Sequence, residues 1–106
     1  MTIDEAAVYI RNNVDIVEVV SRYVSLKKVG RNYFGLCPFH SEKTPSFSVN
    51  PSKGIFKCFG CGEGGDVIKF LSKIENTTYR EAVKMLAAEL GIAIDENTET
   101  EKILQV

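Results

Sequence analysis

The three cysteines and the single histidine of this chain form two closely spaced pairs. The first pair has the pattern Cys-x-x-His and the second Cys-x-x-Cys, with seventeen residues between the pairs. Two residues between ligands allow a tight turn to aim both side chains at one ion, and this spacing is typical of tetrahedral zinc. The pattern predicts one structural zinc ion, bound by Cys37, His40, Cys58 and Cys61.

Three other uses of these residues are weaker. A disulfide would leave one of the three cysteines over, and no signal peptide directs the chain to an oxidising compartment. A redox-active pair would fit the Cys58–Cys61 spacing, but the matching first pair favours a metal. A catalytic zinc usually keeps one open position, whereas four ligands close the shell, so we expect the metal to stabilise the fold.

The charge of the chain is segregated along the sequence. The 106 residues carry a net charge of −1, yet residues 26–57 hold six basic side chains and one acidic side chain. A basic patch of this kind indicates a polyanionic partner, although a solvated face that keeps the domain soluble is the alternative. No apolar run approaches the ~18–20 residues of a membrane span. We expect one domain in a reducing, cytoplasmic setting.

The elements that must position the four ligands are short. Residues 32–36 and 55–58 are predicted strands that lead into the two ligand pairs. Residues 45–49 alternate, with Phe47 and Val49 on one face, and residues 50–54 form a turn. A small antiparallel sheet that carries two metal knuckles is a zinc ribbon.

Helices are predicted on both sides of the ribbon. A capping box at residues 2–5 begins the first helix, and Asp15 begins a second. Residues 62–66 are expected to break the sheet, with Asp66 as the N-cap of a third helix over residues 67–74. A fourth helix begins at residues 78–81 and ends at Gly91. The fold class is therefore small α+β, with a domain over residues 1–94 and an acidic linker or tail over 95–106.

Three stretches carry a resemblance to a known family: residues 30–40, 42–49 with its Lys-Thr-Pro-Ser-Phe run, and 55–66 with its Gly-Gly exit. Together they resemble the N-terminal zinc-binding domain of bacterial DNA primases of the DnaG type. The resemblance covers about residues 3–95. It implies that the chain is a template-reading module that supports RNA primer synthesis at the primosome, during DNA replication.

The resemblance also implies partners. These are single-stranded DNA template, the primase RNA polymerase domain in cis or in trans, and the replicative helicase through the full-length protein, with no membrane. The nucleotidyltransferase activity of such primases needs a carboxylate cluster that holds magnesium, and this sequence has no such cluster. We therefore expect the segment to be non-catalytic on its own.

Candidate DNA contacts come from the basic segment and its aromatic residues. The phosphate candidates are Lys27, Arg31, Lys43, Lys53 and Lys57. The stacking candidates are Tyr33, Phe34, Phe47 and Phe56, of which Tyr33 and Phe56 are favoured and at least half must be core. Ser46, with Ser48 and Asn32, could contact bases or sugars. The alternatives to template recognition are a protein-interaction module that docks on the polymerase domain or another replication protein, and a zinc hydrolase.

Overall fold

A computed structural model describes residues 1–39, 46–60 and 62–94 of the chain. Two helices come first, then five strands, then two more helices. In chain order they are α1 (Ile3–Asn13), α2 (Ile16–Ser21), β1 (Lys27–Val29), β2 (Asn32–Gly35), β3 (Phe47–Asn50), β4 (Ile55–Cys58), β5 (Gly64–Asp66), α3 (Val67–Ile74) and α4 (Tyr79–Leu90). The predicted tail over 95–106 lies outside the described residues.

The helix boundaries follow local capping chemistry. The Glu5 N–H donates to the Thr2 hydroxyl at 3.2 Å, and the Thr2 N–H donates to the Glu5 carboxylate at 2.9 Å. This is the predicted capping box. The hydrogen bond from the Thr2 backbone is the largest cause of the lowered pKa of Glu5. Asp15, Asp66 and Thr78 cap the other three helices, and Gly91 ends α4 in the left-handed conformation, as predicted.

The five strands form one antiparallel meander in the order β1-β2-β3-β4-β5. Each strand pairs with the next along the chain, so β2 and β4 run in the same direction on either side of β3. Residues directly opposite one another in paired strands share a face of the sheet. The register therefore assigns each strand residue to one of two faces.

The inner face of the sheet is packed against the helices. Phe47 and Val49 on β3 and Phe56 on β4 have at most 1% of their surface exposed. Phe70 of α3 contacts both phenylalanines, with ring centroids 6.0 Å from Phe47 and 5.6 Å from Phe56. These rings join the sheet to α3, and α3 packs in turn on α4.

One predicted boundary was wrong. The sheet was expected to end at Gly62, but residues 64–66 form β5 and pair with β4. A Cβ on Gly64 would lie 3.1 Å from the Phe56 carbonyl oxygen, so the glycine allows the two backbones to come close. The glycines that indicated a break are therefore what admits a fifth strand.

Helices α1 and α2 contribute to the core that the inner face of the sheet forms with α3. Ala6 and Ile10 of α1 and Val19 and Val20 of α2 are fully buried in the same core. Arg22 follows α2 and bonds Glu18 at 3.0 Å and Glu89 of α4 at 2.9 Å. Within the described part of the chain, no helix is both long and apolar enough to cross a bilayer.

Candidate metal centre and nucleic-acid interface

Cys37 and Cys58 lie at the same end of the sheet. Cys58 is the last residue of β4 and stands opposite Phe47, which in turn stands opposite Gly35 at the end of β2. Cys37 follows Gly35 by two residues. The chain therefore leaves β2 and β4 at one edge and delivers a sulfur from each, which we call the metal end of the sheet.

Both of these predicted sulfur ligands lie in protected positions. Cys37 is 5% exposed and Cys58 is fully buried. The Cys58 N–H donates to the Glu63 carbonyl at 2.8 Å, and the Gly62 N–H donates to the Cys58 carbonyl at 2.8 Å. These two hydrogen bonds fix the backbone of Cys58 where β4 ends. Gly62 has φ of +79°, a conformation that favours glycine.

His40 and Cys61, the other two predicted ligands, lie outside the described residues, as does Lys43. For that reason the described part of the chain contains no group of three side chains able to hold a metal ion. The donors that it does contain fit zinc, because two buried cysteines lie at the same end of the sheet and thiolate sulfur is a preferred zinc ligand. The predicted set of four also needs His40 and Cys61.

The first knuckle is anchored in the core by Phe39. Its ring lies 5.9 Å from Phe56 and 5.7 Å from Phe70, between centroids. The Lys73 ammonium stands 5.5 Å from the same ring and pairs with Glu63 at 3.0 Å. Loss of a metal bound at the first knuckle would therefore disturb the packing of the aromatic core as well as the knuckles.

The outer face of the sheet carries a mixed basic and aromatic row. The register places Lys27 of β1 opposite Phe34 of β2, Phe34 opposite Ser48 of β3, and Ser48 opposite Lys57 of β4. Both lysines are exposed and Phe34 is half-buried. The Ser48 hydroxyl donates to the Lys57 carbonyl at 3.2 Å. Ser48 is a small side chain between the larger Phe34 and Lys57. We call Lys27, Phe34, Ser48 and Lys57 the outer row.

Comparisons with known proteins agree with this architecture. The profile of the CHC2 zinc finger family matches residues 2–102. The DNA primase of Geobacillus stearothermophilus is 60% identical over 89 residues, which cover 84% of this chain and 15% of that protein. The DNA primase of Clostridium acetobutylicum is 61% identical over 83 residues, or 78% of this chain and 14% of that protein.

A solved structure has the same fold. The crystal structure of the zinc-binding and RNA polymerase domains of the Aquifex aeolicus primase aligns with a TM-score of 0.81 and 52% identity. The alignment covers 92% of this chain and 23% of the Aquifex chain. The chain belongs to the CHC2 zinc finger family. It spans about 15% of the length of the curated DNA primases that it matches.

In this CHC2 zinc finger, the structure places both favoured stacking candidates on the inner face of the sheet. Phe56 is 1% exposed, and Tyr33 stands opposite the buried Val49 and packs against the core. Phe47 is fully buried. The sequence alone does not determine which alternate positions of these strands face inward, because that depends on strand register. Only Phe34 of the four aromatic candidates lies on the outer face.

The polar and basic candidates are spread over three places. Lys27 and Lys57 belong to the outer row, whereas Arg31 and Lys53 lie in the β1–β2 and β3–β4 turns, at the end of the sheet opposite the metal. The Ser46 hydroxyl lies 3.6 Å from the Cys58 sulfur, so it serves the knuckle rather than the outer face.

One exposed aromatic of this zinc finger was missed. Phe59 lies inside the second knuckle, between Cys58 and Cys61, and is 68% exposed. The strand parity could have indicated it, because Ile55 and Lys57 also point outward while Phe56 and Cys58 point inward. A residue one position past an inward ligand is expected to face solvent.

Proposed function

We propose that this chain is the zinc-binding, template-recognition domain of a DNA primase, and that it supports RNA primer synthesis by binding single-stranded DNA across the outer row. The observation that carries the proposal is the run of Lys27, Phe34, Ser48 and Lys57 along one solvent-facing line of the sheet. Lysines neutralise backbone phosphates, and aromatic rings offer a stacking surface worth ~1–3 kcal/mol per base.

The metal's part in this function is structural. One zinc ion bound by Cys37, His40, Cys58 and Cys61 would join the ends of β2 and β4 and so stabilise the sheet that displays the outer row. Thiolate ligands stay available only in a reducing setting, which supports action in the cytoplasm. A closed set of four ligands supports no metal-activated water, so no hydrolase activity is proposed.

Polymerisation itself would belong to another part of the protein. The domain would present template to a primase RNA polymerase domain, in cis or in trans, and would reach the replicative helicase only through the full-length protein. The fraction of each relative that this chain spans supports a division of labour of this kind.

The test uses adjacent lysines on β1. Lys27 stands opposite Phe34 on the outer face, whereas Lys28 stands opposite the inward Tyr33, and both lysines are exposed. The zinc-loaded 106-residue chain is titrated into a labelled single-stranded oligonucleotide and followed by fluorescence anisotropy at low and high salt. Lys27→Gln should weaken binding several-fold, and Lys28→Gln should bind as the parent does. Equal effects of both variants, or affinity independent of salt, would contradict binding on the outer row.

A second candidate function is docking on the polymerase domain. Two apolar side chains support it, because Val29 is 55% exposed and Ile55 is 40% exposed on the same outer face. Titration of the chain against an isolated polymerase domain, with Val29→Ser and Ile55→Ser as variants, separates the two. If the chain docks on the polymerase domain, these variants should lose affinity for that domain and keep their affinity for single-stranded DNA.

A further inference from the structure

Phe59 is the most exposed large apolar side chain in the described part of the chain, at 68%. Burial of a phenylalanine in a protein core typically contributes ~1.5–3 kcal/mol, which this ring does not provide to the fold. Isolated surface hydrophobics are common and need no explanation by themselves. The surroundings of Phe59 are what distinguish it.

The backbone that carries Phe59 is fixed on three sides. Its own N–H donates to the Ser46 carbonyl at 3.0 Å. The N–H of the preceding Cys58 donates to Glu63 at 2.8 Å, and the Cys58 carbonyl accepts from Gly62 at 2.8 Å. A ring displayed from an anchored turn has only its side-chain torsions to order when a ligand binds, so binding loses little conformational entropy.

A cation stands beside the ring. The Lys57 ammonium lies 5.7 Å from the Phe59 ring centroid, which puts both side chains on the same side of β4. An exposed aromatic face with an adjacent cation matches a ligand that has a flat π-system joined to an anion, which is the chemistry of a nucleotide.

We propose that Phe59 is a stacking platform for one unpaired base of single-stranded DNA, and that Lys57 binds the phosphate next to that base. The inference rests on the proposed function and deepens it, because it places one nucleotide at the metal end of the sheet. The outer row would then continue into the second knuckle, and the zinc turn would fix the position at which the strand leaves the sheet.

The experiment compares substitutions that separate aromaticity from apolar bulk. Phe59→Ala removes the ring, Phe59→Leu keeps an apolar side chain, and Phe59→Tyr keeps a ring. Leu36→Ala is the matched control, since Leu36 is 50% exposed just after β2. Each zinc-loaded variant is titrated with single-stranded oligonucleotides that contain 2-aminopurine, whose fluorescence falls when it stacks. Zinc content and the near-ultraviolet circular dichroism spectrum check that each variant is folded.

Phe59→Ala is expected to weaken binding by about 5- to 150-fold, the range that corresponds to one stacked base. It should leave the slope of log affinity against log salt unchanged, because no charge is removed. Phe59→Leu should lose most of the same affinity and the fluorescence quenching, whereas Phe59→Tyr and Leu36→Ala should behave as the parent.

Three outcomes would overturn the inference. If Phe59→Ala binds normally while Lys27→Gln is weakened, the proposed function stands and the platform is wrong. If Phe59→Leu binds and quenches as the parent does, the contact is apolar rather than stacked, and the platform is again wrong. If the parent chain itself binds no single-stranded DNA, the proposed function fails first and takes the inference with it.

Discussion

The Tyr79 hydroxyl donates a hydrogen bond of 2.9 Å to one carboxylate oxygen of Asp66. The other Asp66 oxygen accepts the Lys69 N–H at 2.8 Å and thereby caps α3. The same hydroxyl accepts a hydrogen bond from Arg11 of α1 at 3.0 Å. Since Asp66 is also the last residue of β5, one carboxylate joins the edge of the sheet to three helices.

Tyr79→Phe should destabilise the domain by about 1 kcal/mol, the typical net value of a hydrogen bond in a partly exposed position. The ring would remain, so packing should change little and the loss should come from the hydroxyl. Denaturant unfolding measures the change. Tyr9→Phe is the control, because Tyr9 has a similar exposure of 41%. An equal loss in both variants would argue against the Asp66 contact as the cause.

The same contact predicts a dependence on pH. Burial first, and then the hydrogen bond to Asp66, raise the pKa of Tyr79 above its ordinary value near 10. A raised folded-state pKa means that the contribution is fully present below the unfolded pKa and is lost as pH rises through the folded pKa. In an NMR titration of the tyrosine rings, Tyr79 should ionise above the value for an unfolded peptide. Ionisation at or below that value would contradict the contact.

Gly35→Ala should be strongly destabilising. A Cβ there would lie 2.6 Å from the Ser25 carbonyl oxygen and 3.0 Å from a Val24 methyl, so residues 24–26 would have to move. Overpacking of this kind costs ~1–3 kcal/mol.

Gly30→Ala is the control for that substitution. Gly30 has open space but a φ of +66°, so alanine there should cost only ~1–2 kcal/mol of backbone strain. Melting temperatures of the two variants should rank Gly35→Ala below Gly30→Ala. The reverse order would mean that residues 24–26 shift at little cost to make room for the Cβ at position 35.

Cys58→Ser should lower zinc affinity and loosen the metal end of the sheet. Structural zinc in small domains contributes ~10–16 kcal/mol of apparent binding energy that is coupled to folding, so loss of one ligand should also lower the melting temperature. Chelator competition measures the affinity. Ser46→Ala removes a hydroxyl 3.6 Å from the same sulfur and should keep the zinc stoichiometry. Full metal content in Cys58→Ser would exclude Cys58 as a ligand.

Lys57→Gln should reduce the salt dependence of binding to single-stranded DNA. Each phosphate contact on a single strand contributes a slope near −0.7 in log affinity against log salt, so removal of one contact should make the slope shallower by about that amount. Lys28→Gln, on the opposite parity of β1, should leave the slope as it was. A slope unchanged by Lys57→Gln would remove Lys57 from the phosphate contacts.

Local chemistry is what made much of the fold predictable. Thr2, Asp15, Asp66 and Thr78 each satisfy backbone N–H groups within a few residues of themselves, so the sequence alone located every helix start. The strands that lead into the ligand pairs were also located, because each runs directly into its pair along the sequence. Residues 64–66 were not, because three residues rich in glycine form a strand only when a neighbouring strand provides the partner.

For the DNA-contact candidates, local sequence does not determine which face of the sheet a side chain occupies. Tyr33 and Phe34 are adjacent and both aromatic, yet one faces Val49 in the core and the other faces Ser48 on the surface. Composition cannot distinguish them, because a shift of one residue in register exchanges the two faces of a strand. Phe59 was missed although the alternation along β4 could have indicated it.

The sequence by itself determined the zinc finger family and predicted the four metal ligands, because residue type and spacing are properties of a short stretch of chain. Only the tertiary structure decided which side chains meet solvent. Hydrogen-bond register across β1 to β4 places Lys27, Phe34, Ser48 and Lys57 in one line and sends Phe47 and Phe56 to the core. That choice depends on pairing between residues distant in sequence and on the helices that cover one face.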